Sequence, residues 1–428
     1  MKNIKFPFEL QAVLKYALRW TMLILPVALA IGCMVAIFLG LLHYTTQFRF
    51  HHPWLLYLLP LAGVLIHFIY RSIGKSSEKG NNLIIAEIHE PGAGVPARMA
   101  PVILLTTLIT HLFGGSAGRE GTAVQIGGSI AGLFGKWFKL NAQETKMILI
   151  AGVAAGFGAV FGTPLTGAVF AIEVLTVGKI RYDAFFPAIL ASVIGDLTVS
   201  AWGIQHTAYH IHSSEPIGLV LLGKVIVAAA IFGLASFSFT MAVNAVKSFC
   251  LKMVKIQWLI PVLGGLLIIA LTYALGKIDY LGLGVDAPHP DMVTIPSAFE
   301  PAGSDTWSWF WKTIYTAVTL GTGFKGGEVT PLFYIGATLG NTLSLLLNAP
   351  VSLFAALGFI AVFAGATNTP LACTLMGAEL FGSQYLLLFA MACFIAYLFS
   401  GSSGIYSAQR KAASRFFWHG LRGNKTRV

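Results

Sequence analysis

Charge is what this sequence has least of. Asp, Glu, Lys and Arg make up 11% of its 428 residues against 56% hydrophobic ones, and the mean hydropathy is +0.76. A soluble domain carries roughly a quarter of its residues charged, so that class is excluded and an integral membrane protein is indicated. Cysteine is also scarce: Cys33, Cys250, Cys373 and Cys393 lie far apart in or beside apolar runs, without metal-ligand or redox spacing. They read as small core residues, and neither a metal nor a cofactor is expected. The stretch Met1 to Arg19 lacks a clear cleavage site before the run Trp20 to Leu42, which predicts a retained first helix and not a removed signal peptide. No polar stretch is long enough for a soluble appendage, so one all-helical, multi-pass membrane domain over 1–428 is expected.

The net charge of +11 does not indicate nucleic acid, because the basic residues fall at segment ends and not on one solvated face. Arg71, Lys75 and Lys79 cluster in one turn, and Arg410, Lys411, Arg415, Arg422, Lys425 and Arg427 at the carboxyl end, whereas 182–223 and 278–311 hold no Lys or Arg. The excess of positive charge on cytoplasmic loops then predicts the first two sets and both termini inside, and the polar loops of the other two outside.

What is abundant is glycine, 46 residues of it, cutting the apolar runs. Glycine suits close helix packing and interrupted helices better than simple spans. Apolar runs cover Trp20 to Leu42, Trp54 to Tyr70, Met99 to Phe113, the glycine-rich Ala151 to Val177, 184–203, 216–247, 257–276, Trp307 to Gly321, Thr330 to Leu347, Val351 to Phe363 and Leu371 to Phe399. Between the third and fourth lies Gly114 to Gly128, which contains Gly118-Arg119-Glu120-Gly121-Thr122 and opens a helix running to Phe138. An ionisable side chain at membrane depth marks a functional site by default.

The chain also repeats itself. Glu120, Thr122, Gly128 and Gly132 recur as Glu328, Thr330, Gly336 and Gly340, each 208 positions on. Thr163-Pro164-Leu165 with Glu173 recurs as Thr369-Pro370-Leu371 with Glu379, 206 positions on. Both matches belong to one duplication, drawn as repeats of about 54–215 and 216–415. Repeated halves with glycine- and proline-broken segments at matching places point to a transporter whose site lies between them near the midplane.

At each copy of the motif, glycines before a helix leave backbone N–H groups free, and the helix dipole adds partial positive charge, which favours an anion. The bland alternative for Arg119 and Glu120 is an ion pair tying two helices. In Phe324-Lys325-Gly326-Gly327-Glu328-Val329-Thr330-Pro331, Pro331 suits a first helical turn, and Thr330 fits helix capping as well as ligand contact. Asn81 and Asn82 offer amide donors to an anion or to a neighbouring helix. Glu173 and Glu379 fall two turns or more after their Thr-Pro pairs, where a solvated surface acid is the simple reading. Tyr406 reads from composition as an interfacial tyrosine. His206, His210 and His212 read as solvated loop residues without a role. No Ser-His, metal-ligand or paired-acid constellation accompanies the repeat, so an intramembrane enzyme is not indicated.

These motifs, Gly118-Arg119-Glu120-Gly121, Gly326 to Pro331, and Gly401 to Ala408 with Tyr406, resemble in order and separation the CLC anion channel and transporter family, over about residues 20 to 415. The resemblance implies an antiparallel duplication assembled as a homodimer, with one pore per subunit and no cytoplasmic regulatory domain. It implies that Glu120 is the gating glutamate that competes with the anion, with Gly118, Arg119 and Gly121 around it. It also implies that Tyr406 faces the central anion site, against the interfacial reading, and that the amides of Glu328 and Val329 line that site.

Three departures carry information. Asn81 stands where chloride-type members have a serine, Thr122 replaces a proline, and Val174 stands where chloride exchangers often have a second glutamate, their inner proton relay. Together with Lys325 to Thr330 and Ala366 to Leu371, these resemble the bacterial branch that exports fluoride by proton exchange across the inner membrane. Fluoride is small and a strong hydrogen-bond acceptor, and Asn81 and Thr330 add donors to replace its water. Glu328 is expected in the proton path or at an intermediate anion position. The expected partners are fluoride, or chloride in the alternative, with protons and membrane lipid; a passive anion channel is the other alternative.

Overall fold

A computed structural model describes residues 6–212, 215–401 and 404–412. Arg415, Arg422, Lys425 and Arg427 of the basic carboxyl end, and Ser402 and Ser403, lie outside the described residues. Described helices of the first half are α1 (Phe6–His51), α2 (Leu59–Ile69), α3 (Asn81–His89), α4 (Met99–Leu112), α5 (Glu120–Trp137), α6 (Ala142–Phe161), α7 (Pro164–Glu173) and α8 (Phe185–Ala201). Those of the second are α9 (Leu219–Met253), α10 (Leu259–Leu275), α11 (Ser308–Gly321), α12 (Val329–Leu347), α13 (Val351–Thr367), α14 (Pro370–Phe381) and α15 (Leu386–Phe399).

Two of the apolar runs are broken. Ala151 to Val177 divides between α6 and α7 at Gly162 (φ +69°), and Leu371 to Phe399 divides between α14 and α15 at Gly382 (φ +91°). In both places a left-handed glycine ends one direction, and the prolines at 164 and 370 open α7 and α14. Six helical stretches are long and apolar enough to cross a membrane, while α4, α7, α10, α13, α14 and the α15 stretch are shorter. Short helices expose backbone ends, which a bilayer tolerates only inside protein. Accordingly α5, α12 and α13 are buried almost throughout.

Packing is duplicated along with the sequence. Helix α5 packs on α6 as α12 packs on α13, and α6 meets α7 and α8 as α13 meets α14 and α15. Helix α1 lies against α4, α6 and α8 as α9 lies against α11, α13 and α15. Small residues make the central pairs possible: a Cβ on Gly127 would run into the Gly152 carbonyl, and one on Gly336 into that of Gly358.

The direction of the repeats follows from Glu173 and Glu379; the surface-acid reading gives way for the buried Glu173, while Glu379 is exposed and caps a helix as well. Glu173, at the end of α7, accepts from Leu371 N (3.1 Å) and Ala372 N (2.8 Å) in the first turn of α14. Glu379, near the end of α14, accepts from Leu165 N (2.9 Å), Thr166 N (2.8 Å) and the Thr166 hydroxyl (2.6 Å) in the first turn of α7. Two helices can cap each other in this way only if they run antiparallel, so the repeats are inverted. Each carboxylate meets free N–H groups and the positive end of a dipole.

After α15 the chain turns back inward. Strand β2 (Arg410–Lys411) pairs in parallel with β1 (Thr176–Val177), just after α7. The Gln409 side chain donates to Val174 O (2.9 Å) and Thr367 O (3.0 Å) and accepts from the Asn368 amide (2.7 Å). This anchoring holds Tyr406 in the interior, 6% exposed, and not at an interface.

Glu173→Gln removes a charge from the α14 cap and is expected to lower stability by about 1–3 kcal/mol. The loss is measurable as a lower thermal midpoint of the detergent-solubilised protein. Glu379→Gln, more exposed, should cost less. An unchanged midpoint for Glu173→Gln would show that the mutual caps do not stabilise the helix pair.

Candidate functional site

Two loops meet in the middle of the molecule, each leading into a helix: Gly114 to Arg119 into α5, and Gly323 to Glu328 into α12. They are stapled by reciprocal bonds, Gly118 N to Gly327 O (2.6 Å) and Gly327 N to Gly118 O (2.7 Å). Ser116 N donates to the Thr319 hydroxyl (3.1 Å), and Lys325 N to that of Thr110 (3.3 Å). Glycine is required at the staple, because a Cβ on Gly327 would sit 2.8 Å from Gly121 N. The N-termini of α5 and α12 are thereby brought together, one from each repeat.

Between them lies the Glu120 carboxylate, 1% exposed. It accepts from the Thr330 hydroxyl (2.6 Å to each oxygen), from Thr330 N (3.1 Å) and from Arg119 N (3.1 Å). The Arg119 Nε is 3.6 Å away. A carboxylate so held occupies the position of an anion at a helix N-terminus. The two uses left open for Thr330 are thus resolved: its hydroxyl contacts the carboxylate and does not cap its own helix, whose N-cap residue Glu328 makes no side-chain cap. Thr122, its counterpart, turns away to the Thr107 hydroxyl (2.7 Å).

Two cavities lie near Glu120, which lines only the smaller. The first, of about 150 Å³, has walls that include Lys79, Asn81, Gln125, Lys325, Glu328 and Tyr406. The second, of about 30 Å³, is bounded by Glu120, Arg119, His206, Tyr209 and the ring of Phe333. The first shares the end of the molecule that carries the basic Arg71 to Lys79 turn.

Most of the expected site residues face this arrangement. Neither the Glu328 carboxylate nor the Tyr406 hydroxyl has a hydrogen-bond partner among the described residues, and both line the larger cavity. The Asn81 Oδ1 is buried without a partner, and its Nδ2 lies 3.3 Å from where a Cβ on Gly121 would be. The N–H groups of Gly121 and Val329 have no backbone acceptor among the described residues, as first-turn amides should. Two residues play other parts. The Gly118 N–H is committed to Gly327, so its contribution is to join the loops. Arg119 points its guanidinium to the smaller cavity. Asn82 lies beside the larger cavity, but its Oδ1 accepts from Ala408 N (2.9 Å) and anchors the returning chain.

The smaller cavity is closed by the extended stretch 204–212, which the sequence reading took as solvated loop. There His206 has a buried Nε2 without a partner, and Tyr209 stacks on Phe299 (5.2 Å between centroids). No periodicity marks these two residues. Gln125 had a legible signal, being the single amide of α5 and one helical turn from Gly121. From Asn81 and Tyr406 a crevice leads to Val174 along Ile84, Ile88 and Leu175, with no titratable side chain beyond the tyrosine. Among the described residues no group of His, Cys, Asp and Glu could hold a metal ion.

Comparison with known proteins places this geometry. The model of the voltage gated chloride channel family matches residues 62–401. A chloride/fluoride channel protein of Pseudomonas syringae pv. tomato is 46% identical over 421 residues, covering 97% of this chain and 91% of the relative. The H+/Cl− exchange transporter ClcA of Vibrio cholerae is 24% identical over 326 residues, 69% of this chain and 68% of that one. A crystal structure of a CLC-type fluoride/proton antiporter superposes with a TM-score of 0.87 at 33% identity, covering 96% of this chain and all of that one. A slow cyanobacterial Cl−/H+ antiporter superposes at 0.76 with 18% identity over 91% and 96% of the two chains, a likeness of fold.

Thr330→Val removes the hydroxyl that bonds both oxygens of Glu120 and leaves the amide in place. A hydrogen bond to a charged group is worth about 1.5–3 kcal/mol, so the carboxylate should be released about tenfold or more often. Carbodiimide labelling of Glu120 should accelerate to match, and an unchanged rate would show that Thr330 does not hold the carboxylate.

Proposed function

The chain belongs to the voltage gated chloride channel family, and from that premise we propose that it exports fluoride in exchange for protons, with Glu120 as the gate that couples the two. The observation that carries the reading is the Glu120 carboxylate seated at the N-terminus of α12, in the place of an anion. The likeness to a solved fluoride/proton antiporter and to a relative described as a chloride/fluoride channel protein supports the choice of ion.

The mechanism follows from competition for one set of donors. Ionised Glu120 fills the site and closes the passage. Protonation removes the charge that the α12 dipole and the Thr330 donors favour, so the side chain leaves and an anion replaces it. Fluoride reaches the site through the larger cavity past Asn81, Tyr406 and Glu328. It needs strong donors because a small anion gives up more hydration. The Asn81 amide, the Tyr406 and Thr330 hydroxyls and the amides of Gly121 and Val329 are available. Glu328, in that same cavity and without a protein partner, carries protons there or holds an intermediate position. No acid at Val174 is then needed for an inner relay.

The surroundings of this cycle are part of the proposal. The chain is one transmembrane domain, 1–428, in which the matched packing takes α1 into the first repeat. It sits in the bacterial inner membrane with the Arg71 to Lys79 turn and both termini in the cytoplasm. It forms a homodimer with one pore per subunit, and it acts as a transporter and not as an enzyme. A second reading, chloride transport or a passive channel, is favoured by the 46% identical relative, a chloride/fluoride channel protein.

Proteoliposomes loaded with fluoride separate these readings. Wild type should release fluoride while protons enter. Chloride-driven proton movement with fluoride ignored would contradict the choice of ion, and fluoride release without proton movement would indicate a channel. In Glu120→Gln, proton uptake should be abolished; intact coupling in that variant would remove the proposed gate.

A further inference from the structure

A cavity of about 390 Å³ opens between the ends of α2, α9 and α11 and the start of α10, apart from Glu120, Asn81 and Thr330. Its lining holds Arg71, Lys247, Lys325 and His67, with Glu78 as the one acid. Glu78 lies 4.0 Å from Lys325 and is 70% exposed, so it offsets one of the three full positive charges only in part. The His67 Nε2 is buried without a partner. The lining also includes the apolar Ile66, Leu251, Ile260 and Leu320.

The helices around the opening are those that meet lipid. Leu65 and Phe68 on α2, Leu251 on α9 and Leu263 on α10 are each about half exposed in a protein whose surroundings are a bilayer. The cavity lies where these apolar faces end and the basic Arg71 to Lys79 turn begins, at the depth where acyl chains meet headgroups. Its walls are fixed by close approaches: a Cβ on Gly63 would lie 2.6 Å from that of Pro261, and one on Gly321 3.2 Å from Lys247 N. Basic pockets between membrane helices of this kind suit phosphate-bearing headgroups.

We propose that this cavity binds an anionic phospholipid, its phosphate between Arg71 and Lys247 and its acyl chains along α2 and α10. Charge complementarity selects the headgroup, and the apolar lining selects a lipid over a free anion. The site shares Tyr70, Glu78, Leu320 and Lys325 with the larger cavity near Glu120. Lys325 stands over the Tyr70 ring (4.4 Å), and both residues line this cavity and the one that contains Glu328. A bound headgroup draws Lys325 away from Glu78 and changes the positive field at the mouth of the inner cavity, so lipid binding tunes anion entry.

The test is binding, independent of transport. The purified full-length protein is delipidated, and phosphatidylglycerol, phosphatidylcholine and inorganic phosphate are each titrated by native mass spectrometry. Phosphatidylglycerol should bind best, and Arg71→Gln and Lys247→Gln should each weaken it about fivefold, with phosphatidylcholine unaffected. Lys252→Gln, at a basic residue of α9 that does not line the cavity, is expected to bind as wild type. Equal binding of the two lipids, or phosphatidylglycerol affinity untouched by both substitutions, overturns the proposal. Inorganic phosphate binding as tightly as phosphatidylglycerol overturns the lipid assignment. The single substitutions are at exposed side chains, and a thermal midpoint equal to wild type confirms that each variant is folded before its affinity is read.

Discussion

A carboxylate buried in a membrane protein must either take a proton or be given donors. Glu120 is given the donors of a helix from the opposite half of the chain: the Thr330 amide and hydroxyl at the start of α12. Much of the architecture serves that contact. The inverted duplication points α5 and α12 at one another, the Gly118–Gly327 staple sets their separation, and the mutual caps of Glu173 and Glu379 hold α7 to α14. In the proposed cycle one proton on the carboxylate weakens its hold and opens the site to another anion, because the donors favour charge and not a particular bearer of it.

The environment of the site separates two problems that one residue has to serve. The larger cavity is lined by Glu328, Tyr406 and Asn81, of which the carboxylate, the hydroxyl and the amide oxygen have no hydrogen-bond partner among the described residues. The smaller one has room for little beyond a water-sized species and is walled by aromatic rings, Arg119 and His206. In the proposed cycle an anion that dwells at the larger side and leaves by the smaller passes the same carboxylate that carries the proton, so the proposed coupling needs no acid at Val174.

Much of this was legible in the sequence, for a physical reason. Charge inside an apolar chain is costly, so Glu120 and Glu328 stood out, and the constant displacement between motifs showed that two helix N-termini belonged together. Composition and the broken runs indicated an all-helical membrane fold with interrupted helices. The partner of each group was not legible. Glu173 and Glu379 sit at the ends of their own helices, and spacing cannot say which N-terminus lies across from them. Gly118 looked like an anion ligand because it precedes a helix, but its amide serves the staple. His206 and Tyr209 lie in an extended stretch whose position over the site depends on the whole packing of α6, α12 and α13. Tyr406 lies in the interior, against the interfacial reading that its composition suggested.

The central claim is that fluoride and the Glu120 carboxylate exclude each other from one set of donors. Titration calorimetry of fluoride binding in buffers of different ionisation enthalpy reads the accompanying protons directly. By linkage, displacing an ionised carboxylate in favour of the anion should take up about one proton per fluoride bound. In Glu120→Gln fluoride should bind with no proton uptake. Fluoride binding to the wild type without proton uptake would contradict the account.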